Sequence, residues 1–254
     1  MIRCLASHSF QLLISRSRTV SWFSTALIED AKIHRLLLEI PIGKMTPEHI
    51  TDAQSLIFKW CEVPSFRDAE RAEFMLNRLI TETSDGGNHS LHLPLSIYVR
   101  LLEAYSKSDV VGTGPLYAHN LLQRMIERHD DYHPINADLA RSRNSSLNKI
   151  LPTPDITCFN TVLHGWANSS HPQAIEKIEE LFGVLEQNIT KGYHPQPNTS
   201  TYNILINAYA NHASFYGYAQ KAEDVLLKMA NINSQNQSFV RPNTTSFNLV
   251  LKVH

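Results

Sequence analysis

Three segments of this chain repeat one pattern: an aromatic residue, then Asn, then an aliphatic-rich run, each shortly after a Pro-Asp or Pro-Asn pair. They are PDITCFNTVLHGWA from Pro154, PNTSTYNILINAYA from Pro197 and PNTTSFNLVLKVH from Pro242. The asparagines behind the aromatics, Asn160, Asn203 and Asn248, follow one another at 43 and 45 residues. A period in this range points to stacked helical hairpins. No single hairpin can bury both of its faces, so each must pack on its neighbours. A polar residue that returns at one register is then a surface feature presented once per unit.

Aligning the aromatic anchors finds two weaker copies upstream. ITDAQSLIFKW, LSIYVRLLEAY, ITCFNTVLHGW and TSTYNILINAY end at Trp60, Tyr105, Trp166 and Tyr209. In the last two, Phe159, Val162, Leu163 and Trp166, then Tyr202, Leu205, Ile206 and Tyr209, form the i, i+3/i+4, i+7 stripe of a short amphipathic helix. A second helix is expected after each polar turn. Its stripe recurs as Ala72, Met75, Leu76, Leu79; as Ala118, Leu121, Leu122, Met125; as Ile178, Leu181, Phe182, Leu185; and as Ala222, Val225, Leu226, Met229. The expected architecture is all-α, an α-solenoid of helix-turn-helix units with no sheet. Units span 50–94, 95–155, 156–198 and 199–243, and 244–254 is the truncated start of a further repeat. The connectors at 83–94, 137–154 and 231–242 read as loops, with a stray helical turn possible at Leu147–Leu151.

The N-terminus is a different kind of segment. Residues 1–28 hold Arg3, Arg16 and Arg18, many serines and no acid before Glu29. That composition marks an organelle transit peptide, and 29–49 is a flank before the first unit. The expected location is the mitochondrion, with the plastid as the alternative. No apolar run approaches the length of a membrane span. The formal net charge is −1, which does not advertise nucleic acid but leaves room for a local basic stripe. Cys4, Cys61 and Cys158 form neither a disulfide framework nor a zinc motif.

The residues Thr201-Tyr202-Asn203-Ile204-Leu205-Ile206, Cys158-Phe159-Asn160-Thr161-Val162-Leu163 and Ser246-Phe247-Asn248-Leu249-Val250-Leu251 resemble the pentatricopeptide repeat family. So do the second-helix run from Ala222 to Met229 and the ending Val240-Arg241-Pro242-Asn243. The tetratricopeptide pattern wants a Gly behind the aliphatic pair, where this chain has His164 and Asn207. The resemblance implies a right-handed superhelix that binds single-stranded RNA in an organelle, one base per unit. It further implies that readout falls on the residue after the helix-opening aromatic and on the last residue of the same unit. Carried over, the third unit offers Asn160 with Asn198 and the fourth Asn203 with Asn243. The fifth offers Asn248, whose partner lies past the last residue. Two asparagines imply a pyrimidine. Val99 with Asp155, and Gln54 with Pro94, look degenerate. Thr157, Ser200 and Thr245 stand where the family shows a branched apolar residue against the base face.

From the residues themselves, Asn198, Asn243 and Asp155 sit between a Pro and a helix, where they also suit helix capping. Trp60, Tyr105, Trp166 and Tyr209 read as core. His129 and His133 are four apart but lack a third ligand, so no metal or cofactor is expected. No phosphate-binding glycine loop, nucleophile elbow or carboxylate pair is present, so no catalysis is expected, and with what the resemblance implies the expectation is a monomeric RNA-binding protein that is not an enzyme. Its role would be RNA stabilisation, processing or translation, with an organellar ribosome or RNA-processing proteins as further partners. The rival is a protein-binding helical scaffold without base readout.

Overall fold

The computed structural model describes residues 30–62, 65–84, 93–108, 113–130, 152–212, 217–234 and 240–252. The segment expected to be a transit peptide, the Leu147–Leu151 stretch expected to form a stray turn, and His133 lie outside them. Among the described residues the regular structure is helical, with no strand. After a helical stretch over 30–39 come α1 (Pro47–Glu62), α2 (Phe66–Ser84), α3 (Leu95–Lys107), α4 (Thr113–Asp130), α5 (Ile156–Ala167), α6 (Ala174–Lys191), α7 (Thr199–Asn211), α8 (Tyr218–Ser234) and α9 (Thr244–Leu251).

The contacts repeat with the sequence. Each odd-numbered helix from α1 to α7 packs on the helix that follows it as a hairpin, and α1, α3, α5, α7 and α9 touch in that order. Each second helix, α2, α4, α6 and α8, also touches the first helix of the next hairpin. The stripes point into these contacts. Phe159, Val162, Leu163 and Trp166 of α5, and Tyr202, Leu205, Ile206 and Tyr209 of α7, are all buried. So are the stripes of α2, α4 and α6, while α8 buries only Ala222 and Met229 fully. Val225 and Leu226 are half-buried because only α9 follows α8 among the described residues. Burying each large apolar side chain stabilises by about 1.5–3 kcal/mol. Trp60 is half-buried rather than core, its ring meeting His34 edge-on at 5.1 Å.

Small residues set the closest approaches. A Cβ on Gly165 of α5 would lie 2.8 Å from the side chain of Ser106 on α3 and 3.2 Å from its Cα. Gly192, at φ 69°, ends α6 in a left-handed turn, with Tyr193 N–H reaching Asn188 O at 2.8 Å and Gly192 N–H reaching Ile189 O at 3.2 Å. This double bond closes the orphan carbonyls of the last turn. At the other end of the chain, buried Glu82 ties the flank to α2. It accepts from Met45 N–H at 2.9 Å and from Arg78 at 2.7 Å, and Arg78 also donates to Ile40 O.

A polar seam joins second helices. In repeat register, Glu73, His119 and Glu179 occupy one position, and Tyr105, Trp166 and Tyr209 occupy the facing position on the next first helix. Tyr105 donates to Glu73 at 2.5 Å, and Arg124 also donates to Glu73. Tyr209 donates to Glu179 at 2.9 Å, and Lys221 does so at 2.7 Å. The middle joint departs: His119 and Trp166 meet edge-on at 6.0 Å, and His119 Nδ1 and Trp166 Nε1 are buried without a hydrogen-bond partner.

Candidate nucleic-acid interface

The interface is built from the openings of α5, α7 and α9. The Pro before each cap ends the preceding element, and the cap residue stays extended. Asn198, at φ −116° and ψ 179°, accepts from Thr201 N–H through Oδ1 at 3.1 Å, and its own N–H returns to Thr201 Oγ1 at 3.1 Å. Asn243 and Ser246 repeat this reciprocal box at 3.0 and 3.1 Å. Asp155 caps α5 through Cys158 N–H at 3.0 Å. Pro94 opens α3 without any side-chain cap. The capping role of Asn198, Asn243 and Asp155 is therefore real.

The second contact of these caps crosses a hairpin boundary. Asn160, one helical turn into α5, donates from Nδ2 to Asn198 Oδ1 at 3.5 Å, a long and weak bond. Its own Oδ1 accepts from Thr201 Oγ1 at 2.7 Å. The next boundary repeats the arrangement. Asn203 donates to Asn243 Oδ1 at 3.4 Å and accepts from Ser246 Oγ at 2.6 Å. The structure thus brings Asn160 together with Asn198, and Asn203 together with Asn243. Asn160, Asn198 and Asn203 are half-buried, Asn243 and Asn248 exposed. Asn248 sits on α9, its carbonyl accepting from Lys252 N–H at 3.1 Å. Val99 and Asp155 form no such pair, since the Val99 side chain has no polar atom to offer.

Thr201 and Ser246 carry part of the family resemblance but were not among the expected site residues, although both are fully buried hydroxyls at the centre of these networks. The available signal was the hydroxyl three residues after each capping Asn, the reciprocal-cap pattern.

Beside Asn198 lies a pocket of about 570 Å³ between the openings of α5 and α7, walled by Pro154, Ile156, His194, Pro195 and Pro197. Thr157, Ser200 and Thr245, in the positions expected against a base face, are exposed. The four paired asparagines and two hydroxyls carry no ionisable group, so they can recognise hydrogen-bonding edges but cannot exchange protons at neutral pH. Burial pushes the neighbouring Cys158 thiol up to about 12, which keeps it neutral and unreactive. No cluster of metal-ligating side chains exists among the described residues, nor any helix long and apolar enough to cross a membrane.

No protein-family model matches the chain, and no curated protein matches it in sequence.

Proposed function

We propose that this chain is a pentatricopeptide-type α-solenoid, a right-handed superhelix that binds single-stranded RNA in an organelle, the mitochondrion before the plastid. RNA would dock along the openings of successive first helices. Asn160 with Asn198, and Asn203 with Asn243, would each read one pyrimidine, and Asn248 would line the same track. The observation that carries this reading is the repeated juxtaposition across hairpin boundaries. Two residues far apart in sequence meet at 3.5 and 3.4 Å, twice, in the pairing that base readout requires. Single-stranded RNA exposes the base edges that such amides can meet. By analogy with groove readout at about 1–3 kcal/mol per good pairing, two such units supply roughly 2–6 kcal/mol of discrimination. The protein would act in RNA stabilisation, processing or translation without catalysis of its own.

The test is binding to poly-U, poly-C and poly-A at two salt concentrations, for the natural chain and for Asn160→Thr with Asn203→Thr. Tighter binding of the pyrimidine polymers, weakened by the double substitution, is expected. Equal binding to all three polymers would sink base readout. One observation favours a second reading, a protein-binding scaffold on an organellar ribosome or RNA-processing complex: the net charge is −1, and most described cations are already held in ion pairs. Absence of RNA binding at low salt would favour it.

A further inference from the structure

We infer that Thr201 and Ser246 are positioning residues that fix the orientation of the reading amides, so that each Asn pair presents N–H donors to a base. This inference rests on the RNA-binding reading above.

The argument starts from backbone donors, whose polarity cannot flip. Thr201 N–H points at the Asn198 side chain at 3.1 Å, so the atom there must be the amide oxygen. That oxygen in turn faces Asn160 at 3.5 Å, so Asn160 must direct its NH2 group toward it. Asn160 Oδ1 is then left facing Thr201 Oγ1 at 2.7 Å. Thr201 Oγ1 already accepts from Asn198 N–H at 3.1 Å, so its hydroxyl hydrogen is available for Asn160. The hydroxyl also lies 3.1 Å from Asn198 Oδ1, but Asn160 Oδ1 at 2.7 Å is the nearer acceptor, and this short bond is the strongest link holding Asn160. The same chain of reasoning holds at the next boundary, with Ser246 N–H on Asn243 at 3.0 Å and Ser246 Oγ on Asn203 at 2.6 Å.

The consequence is chemical. The capping oxygen of each pair accepts from a backbone N–H and from the reading Asn, and the reading oxygen is drawn toward a buried hydroxyl. The groups left without a partner in the network are one N–H of the reading Asn and the NH2 of the capping Asn. A pair that presents donors suits an edge with two adjacent acceptors, as cytosine offers at N3 and O2. Uracil places an N–H between its two carbonyls, and that N–H would meet only the second lone pair of a reading oxygen already bound to the hydroxyl. A poorly met donor weakens binding, and one neutral hydrogen bond corresponds to roughly 2- to 10-fold in affinity. The register supports a coupled device. The hydroxyl, the reading Asn and the capping Asn occur together at two boundaries. At the boundary where Val99 replaces the reader, the hydroxyl position is Cys158 and the cap is Asp155.

The experiment measures affinity of the full chain for oligo-C and oligo-U by fluorescence polarisation, for the natural protein, Thr201→Val, Ser246→Ala and Thr201→Ser. Thermal unfolding is followed in parallel. The natural chain is expected to favour oligo-C. Thr201→Val, which keeps shape and removes the hydroxyl, is expected to bring the ratio roughly 2- to 10-fold closer to one, with Ser246→Ala acting alike and Thr201→Ser retaining the ratio. A merely structural hydroxyl would lower the unfolding temperature and leave the ratio alone, which would overturn the positioning role while RNA binding stands. If Thr201→Val does not fold, an unchanged ratio in Ser246→Ala overturns it equally. Binding to neither polymer would overturn the RNA reading and this inference with it, while a preference for oligo-U would overturn the donor-presenting edge.

Discussion

At the scale of single residues, each paired asparagine in the candidate interface has a role in the fold apart from any ligand, and the roles differ by position. Asn198 satisfies an orphan N–H of α7, so Asn198→Ala is expected to cost about 0.5–2 kcal/mol in a denaturant titration. Asn160 caps nothing. Its replacement by Ala removes one long bond and one short one, but leaves the Thr201 hydroxyl able to turn to Asn198 Oδ1 at 3.1 Å. The expected loss is smaller, about 0.5–1.5 kcal/mol. A larger loss for Asn160→Ala than for Asn198→Ala would mean the cross-boundary bonds, not the cap, hold this corner together. Gly165 is a packing residue of a different sort. Ala is intrinsically better than Gly in a helix by about 1 kcal/mol, yet the added Cβ would meet Ser106 at 2.8 Å. Since the 3.2 Å contact is with backbone, Ser106 cannot simply rotate away, and overpacking at about 1–3 kcal/mol wins. Gly165→Ala should therefore unfold at lower denaturant than the natural chain, and Gly165→Ala with Ser106→Gly should recover part of the loss.

At the scale of elements, the joint between α4 and α5 differs from those on either side. Tyr and Glu form hydrogen bonds at the outer joints, whereas Trp166 and His119 leave two buried nitrogens without partners. Burial, foremost, lowers the His119 pKa; Lys177 lowers it further, while Glu180 and Gln123 act the other way. A histidine whose folded pKa lies below its unfolded value contributes stability that is full above the unfolded pKa, near 6.5, and is lost as pH falls toward the folded pKa. The natural chain should thus lose denaturant resistance as pH falls below about 6.5, and His119→Gln should flatten that slope. Glu82 behaves differently. Burial works against its charge, but the N–H groups of Met45 and Gly43 and the Arg78 guanidinium outweigh it and hold the carboxyl below its ordinary range. Its contribution persists down to about pH 4 and disappears below it, so the two losses begin at separate pH values. Rebuilding the joint is a sharper check. His119→Glu and Trp166→Tyr should each destabilise alone, and together recover about 0.5–3 kcal/mol as a coupling in a double-mutant cycle. Much of this was legible beforehand. The stripes of α2, α4, α5, α6 and α7 were visible because their 3.6-residue period survives in every copy, and the caps of α5, α7 and α9 because Pro-Asp or Pro-Asn stands before them. Trp60 misled, since an aromatic at the right register says nothing about how much chain covers it. The hydroxyls of Thr201 and Ser246 were invisible for another reason. At N3 they read as local capping partners, and their second bonds reach back 41 and 43 residues.

At the scale of the whole molecule, charge limits how RNA could be held. Lys59, Arg71, Arg78, Arg124, Lys177, Lys221 and Lys228 each have a carboxylate partner. Three of those pairs, Arg124 with Glu73, Lys221 with Glu179 and Lys228 with Glu186, bridge successive second helices, so withdrawing the cation for a phosphate would loosen the stack. Near the candidate interface stands Arg241, whose backbone is tied to Thr199 on both sides, its N–H donating to Oγ1 at 3.0 Å and its carbonyl accepting from Oγ1 at 3.2 Å. That fixes the chain just before the Asn243 cap, and Arg241 is exposed there. Each phosphate neutralised on a single strand contributes about −0.7 to the slope of log affinity against log salt. With one or two such contacts the slope should fall near −0.7 to −1.4, far shallower than for a basic RNA-binding surface. Arg241→Gln should reduce it by about 0.7 without altering the preference between cytosine and uracil. Polarisation measurements across a salt series decide this. A steep slope that survives Arg241→Gln would place phosphate contacts elsewhere, and would show that affinity comes from charge rather than from the paired asparagines.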